Sequence, residues 1–157
     1  MGGLAAGEAR KAHVEAGARG DPGLRRGGSL ILDASAVVAL ILREPEAERL
    51  RSRLSAAGEV AIGAPTLVEA TLVLTNRLGP VASSLIERLL GEAGVAIMPF
   101  DERHWRAAIE AGRRFGKGRH PAALNFGDCL AYAMARVAAR PLLAVGDDFR
   151  QTDLTLA

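Results

Sequence analysis

Four short apolar runs, separated by stretches long enough for two helices each, constrain this chain more than any other feature. They are Ser29–Asp33, Val60–Gly63, Val95–Pro99 and Leu142–Val145. Runs this short and this apolar read as strands buried on both faces. The stretches between them carry helical periodicity. Ala34–Arg43 is apolar and helix-prone, with Ser35 as its expected N-cap. Behind Pro45, the residues Ala47, Leu50, Leu54 and Ala57 form one apolar stripe. Pro65–Leu78 reads as a helix that stops at Gly79–Pro80, and Val81–Ala93 follows with Leu85, Ile86, Leu89 and Leu90 turned inward. Asp101–Phe115 reads as amphipathic, with Trp105, Ala108, Ile109 and Gly112 on one side. After a loop over Gly116–Asn125, Asp128–Ala139 is the last helix. Helical crossovers between strands require a parallel sheet. The expected fold class is therefore α/β, with helices on both faces of the sheet. Such sheets bind ligands at the carboxyl ends of their strands.

The chain has 157 residues, which fits one core. Residues 1–28 stand apart. Gly2, Gly3, Gly7, Gly17, Gly20, Gly23, Gly27 and Gly28 break any periodicity there, and little apolar surface could offset the cost of ordering them. They are expected to be a disordered arm or an overlong gene start, ahead of one domain over 29–157. Residues 1–29 hold five basic and three acidic side chains, whereas the rest holds fifteen of each. The formal charge of +2 thus belongs to the N-terminal segment, and any nucleic-acid surface on the body must be a local patch.

Several chemistries are excluded. One cysteine, Cys129, rules out an internal disulfide framework and a Cys-rich zinc site, and a reducing cytoplasm is the simple setting. No apolar run has the length of a membrane span, and the N-terminus lacks the apolar stretch of a secretory signal. There is no GxxxxGK[ST] loop, and no GxGxxG follows a strand. Asp33-Ala34-Ser35 lacks the second aspartate of an aspartyl-phosphate phosphatase. His13, His104 and His120 fall in the tail, on a helix face and in a basic loop, which gives no nucleophile–histidine pair.

The acids are more informative. Asp33 ends the first apolar run, and Asp147 and Asp148 follow the last, so both sites lie at strand carboxyl ends. Glu69 projects from an apolar helix, with no other charge between Glu59 and Arg77. Asp128 opens the last helix, with Asn125 upstream to cap or orient it. A carboxylate among apolar neighbours needs a cation, a metal or a proton. Clustered carboxylates select a hard ion such as magnesium or manganese, and that chemistry suits phosphodiester hydrolysis. Beside them, Arg113, Arg114, Lys117 and Arg119 place four positive charges within seven residues. Such charge holds phosphates, and Phe115 or His120 is placed to stack on a base.

These residues resemble the PIN-domain family, specifically the VapC toxins of bacterial type II toxin–antitoxin pairs. The similarity runs over Ser29–Leu156. It rests on Leu32-Asp33-Ala34-Ser35-Ala36, Thr66-Leu67-Val68-Glu69, Gly116-Lys117-Gly118-Arg119-His120, Leu124-Asn125-Phe126-Gly127-Asp128-Cys129 and Leu142-Leu143-Ala144-Val145-Gly146-Asp147-Asp148-Phe149, taken in order. The resemblance implies a PIN-like three-layer α/β/α fold with a short parallel sheet of four or five strands. It implies a Mg2+-dependent (or Mn2+-dependent) endoribonuclease that blocks translation. Asp33 and Asp128 would hold the metal directly, with Glu69 and Asp148 completing its surroundings and Asp147 the alternative to Asp148. Ser35 and Asn125 match supporting positions. The basic positions Arg113, Arg114, Lys117, Arg119 and His120 are the RNA-binding candidates. The partners implied are RNA, a VapB-like antitoxin that inserts a peptide near the active site, and a second copy of the toxin, with no membrane. The rival expectations are a housekeeping PIN ribonuclease without antitoxin and a non-catalytic RNA-binding or co-repressor protein.

Overall fold

The computed structural model describes residues 27–157. The expectation for residues 1–28 therefore falls, apart from Gly27 and Gly28, outside the described residues. Four strands form one parallel sheet: β1 (Ser29–Leu32), β2 (Glu59–Gly63), β3 (Val95–Met98) and β4 (Leu142–Leu143), in the order β3-β2-β1-β4. Six helices connect them: α1 (Ala34–Leu42), α2 (Ala47–Ala56), α3 (Ala64–Leu78), α4 (Val81–Ala93), α5 (Glu102–Phe115) and α6 (Phe126–Ala138). A 3-10 turn follows over Asp148–Gln151. Both central strands are apolar on both faces because both faces are covered. Side chains alternate across a strand, so Leu30 and Leu32 pack with α1, α3 and α4, while Ile31 packs with α5 and α6. This is the expected three-layer architecture. Among the described residues, no helix is long and apolar enough to cross a membrane.

Three local expectations are corrected. The last strand is two residues long, not four, and the fifth strand is reduced to a parallel bridge between Leu142 and Leu156. The backbone there is still satisfied, because Leu142 N–H donates to Thr155 at 2.9 Å and Ala157 N–H to Leu142 at 3.0 Å. Second, Asp33 rather than Ser35 is the N-cap of α1. Third, α5 buries His104, Ala108, Ala111 and Phe115, leaving Trp105 at 53% and Ile109 at 46% exposure. The cause lies at the start of α5. Asp101 accepts from the backbone N–H of Arg103 and His104, and its own N–H donates to His104 Nδ1 at 3.1 Å. That reciprocal cap draws the imidazole inward, and the small residues Ala108 and Ala111 below it suit close packing on α6.

Candidate active site

The parallel topology brings the carboxyl ends of β1 and β4 side by side, with Asp33 N–H donating to Leu143 at 3.0 Å. Asp33 is 5% exposed. Its Oδ2 accepts from Ser35 N–H at 2.9 Å and from the Ser35 hydroxyl. The same Ser35 oxygen accepts from Val145 N–H at 2.9 Å, so one hydroxyl ties the end of β4 to the Asp33 carboxylate. Burial pushes the Asp33 carboxyl above its ordinary range, against the hydrogen bonds from Ser35 and Ala34, and the charge of Asp148 adds to the rise.

Asp128 stands in the first turn of α6. Asn125 caps that helix by accepting from Asp128 N–H at 3.0 Å, while Asn125 N–H donates to Asp128 Oδ2 at 2.8 Å. The two residues therefore fix each other. Partial burial raises the Asp128 carboxyl, the Asn125 hydrogen bond opposes this, and Asp33 and Asp148 raise it further. Glu69, on α3, is half-buried. Its carboxyl is raised by burial first, then by Asp33 and Asp128. Asp33, Glu69 and Asp128, from three separate segments, are thus each raised by neighbouring acids, and Asp148 acts on two of them. Among the described residues, no lysine or arginine figures among the groups that shift Asp33, Glu69 or Asp128.

Asp147 and Asp148 have different surroundings. Asp148 acts on Asp33 and Asp128, whereas Asp147 pairs with Arg150 Nε at 2.8 Å and is 83% exposed. A cavity of about 300 Å³ lies over the acids, lined by Asp33, Ser35, Glu69, Asp128, Glu44 and Arg77 among others. Sequence reasoning missed the last two. Arg77 is eight residues from Glu69 on the stripe that passes through Val73, a helical signal that was available. It also missed Gly127. A Cβ at that position would stand 2.3 Å from Glu69 Oε1, so the absence of a side chain is what admits the Glu69 carboxylate beside α6.

The basic candidates divide. Arg113, Lys117 and Arg119 line a shared groove with Asn125 and Phe126. Arg114 instead pairs with Asp153 at 3.1 Å, and Asp153 also accepts from the Tyr132 hydroxyl at 2.6 Å. His120 Nδ1 accepts from Ala122 N–H at 3.1 Å, and its ring stands edge-on to Phe115 with centroids 5.1 Å apart. Phe115 itself is buried, so it presents no face to a base; the exposed aromatic beside the loop is Phe126, at 81%.

The donor set suits a hard divalent cation: the converging groups are carboxylate oxygens, and a cation bound among them would relieve their mutual repulsion. Among the described residues, no three His, Cys, Asp or Glu side chains already form a metal cage, so the fit is one of donor chemistry and charge.

A short parallel sheet with acids at its carboxyl edge defines the class, and comparison with known proteins agrees. The PIN domain family matches residues 30–154. Ribonuclease VapC36 of Mycobacterium tuberculosis is 50% identical over 126 residues, spanning 80% of this chain and 91% of that protein. Ribonuclease VapC of Mycolicibacterium smegmatis is 38% identical over 125 residues, spanning 80% of this chain and 97% of that protein. In fold, the crystal structure of Mycobacterium tuberculosis VapC20, a sarcin-ricin loop cleaving toxin, superposes with a TM-score of 0.68 at 17% identity, covering 82% of this chain and 98% of that one. The chain belongs to the PIN-domain family, and within it to the VapC ribonucleases.

Proposed function

We propose that this chain is the toxin of a type II toxin–antitoxin pair, a Mg2+-dependent endoribonuclease that acts in the cytoplasm and blocks translation. One observation carries the reading most: Asp33, Glu69 and Asp128 come from three separate segments, and burial together with neighbouring acids raises each carboxyl, with no lysine or arginine among the groups that shift them. The names of the relatives support RNA as the substrate.

Asp33 and Asp128 would hold the cation directly, and Glu69 and Asp148 would complete its surroundings, directly or through water. A magnesium or manganese ion bound there makes water a better nucleophile and stabilises charge on phosphorus and on the leaving oxygen. Ser35 N–H and hydroxyl fix the Asp33 carboxylate, and the Asn125 backbone N–H does the same for Asp128. Glu69, which among the described residues makes no hydrogen bond that would fix its carboxylate as Ser35 fixes Asp33, would accept the proton of the attacking water. Lys117 and Arg119 would hold the RNA backbone along the adjoining groove, and the exposed ring of Phe126 offers a stacking face. Arg114 and His120 serve the protein itself, through Asp153 and Phe115. A VapB-like antitoxin and a second copy of the chain are the proposed protein partners. The apolar groove between α3 and α6, lined by Val68, Leu72, Phe126 and Leu130, is surface that such contacts would cover.

The test is cleavage of total RNA by the purified protein, with magnesium or with EDTA, beside Asp33→Asn. Discrete fragments that require both magnesium and Asp33 are expected. Equal cleavage by the variant would overturn the assignment.

A further inference from the structure

We propose that Arg77 is a binding residue for a phosphate that flanks the bond being cut, and that Glu44 holds it in the RNA-free protein. This rests on the nuclease reading above and adds a contact that the acids do not supply.

The cavity over the acids is not acidic throughout. Asp33, Glu69 and Asp128 line it, and so do Arg77 and its partner Glu44. Glu69, Val73 and Arg77 succeed one another at four-residue intervals along α3, so all three line the same cavity from one stripe of the helix. Eight residues of helix separate Glu69 and Arg77 by about 12 Å along the axis. A strand whose scissile phosphate lay at the acids would run a neighbouring phosphate past the guanidinium.

Its present partner is easily exchanged. Arg77 Nη1 stands 3.4 Å from Glu44 Oε1, and the two side chains are 55% and 36% exposed. A long, solvated ion pair of this kind contributes little. A phosphate offers a guanidinium two parallel charge-assisted hydrogen bonds, which is a stronger arrangement. Glu44 is thus a partner that RNA displaces at little cost. A basic residue in the last turn of a helix also complements the helix dipole. That role alone would not involve RNA, and the experiment separates the two.

Binding is measured in the Asp33→Asn background, which cannot cut, with a fluorescein-labelled single-stranded oligoribonucleotide over a range of salt concentrations. Adding Arg77→Ala is expected to weaken binding by about five- to tenfold and to lower the slope of log affinity against log salt by about 0.7. Arg77→Lys is expected to keep most of the slope, because the charge remains. Glu44→Gln is expected to tighten binding, because the competing carboxylate is gone. In the cleaving protein, Arg77→Ala should raise KM more than it lowers kcat. An Arg77→Ala protein with unchanged affinity and unchanged slope would overturn the proposal and leave the nuclease reading standing. Failure of the otherwise wild-type protein to bind or cut any RNA would remove both.

Discussion

Among the described residues, Asp33 at the start of α1 and Asp101 at the start of α5 both cap an α-helix with their side chains, and their surroundings drive them in opposite directions. Asp101 is on the surface. Arg103 donates to its Oδ2 at 2.9 Å, and His104 Nδ1 lies 2.7 Å from its Oδ1. Arg103, above all, holds its carboxyl far below the usual carboxylate range. Asp33 has two hydrogen bonds from Ser35, but burial and the neighbouring acid Asp148 outweigh them and push it up. Both residues satisfy orphan N–H groups at a helix start. Only one is surrounded by charges that a bound cation would have to balance. The difference teaches that a capping position becomes a candidate reactive site through its neighbours rather than through the cap.

The largest expected effect comes from Asp33→Asn. Asparagine still caps a helix, so the fold should survive, as far-UV circular dichroism would show. RNA cleavage should fall by more than about a hundredfold, since even supporting partners of metal ligands cost that order when lost. Asp101→Asn should leave cleavage intact. Comparable losses in both variants would erase the contrast.

Gly127→Ala should come next. The new methyl group would meet the tip of the Glu69 side chain, which can swing away, so folding should be preserved while the carboxylate leaves the cluster. Cleavage and Mn2+ affinity should each fall by roughly tenfold. The change should have little further effect in a Glu69→Gln background, because the two substitutions act through one carboxylate.

Asp101→Ala should lower the melting temperature by roughly a few degrees through loss of the cap, with cleavage unchanged. The smallest effect concerns pH. An acid whose folded pKa is raised binds its proton more tightly in the folded state. Its contribution to stability is therefore present at low pH and is lost as pH rises through the raised value. For Asp101, with a lowered pKa, the contribution is present above the ordinary range and is lost as pH falls toward the lowered value. In EDTA, Asp33→Asn should thus be more stable than wild type at neutral pH, with the advantage gone below about pH 4. Thermal melts across pH would check this.

The acids were legible because each broke a local rule: a carboxylate ended an apolar strand, or stood alone on an apolar helix. The layer order was legible from runs too short to be helices. The inward face of α5 was not. Its most apolar stripe, through Trp105 and Ile109, is partly exposed, and the buried stripe contains a histidine that reads as polar until Asp101 is seen to hold it. The end of β4 was also misread, because Ala144 and Val145 continue the apolar run while Val145 N–H turns to the Ser35 hydroxyl. Arg77 was legible as the third member of the Glu69–Val73 stripe, whereas Gly127 carries no local signal, because its importance arises only where α3 and α6 approach each other.

The most direct test of the central claim, that the sheet-edge acids bind a divalent cation, is a thermal melt of wild type and Asp33→Asn at neutral pH, in EDTA and in excess Mg2+. Magnesium should raise the wild-type melting temperature, because it binds the folded state and relieves the repulsion there. Asp33→Asn should start higher in EDTA and gain little from magnesium. Equal shifts in the two proteins, or none in wild type, would contradict the account.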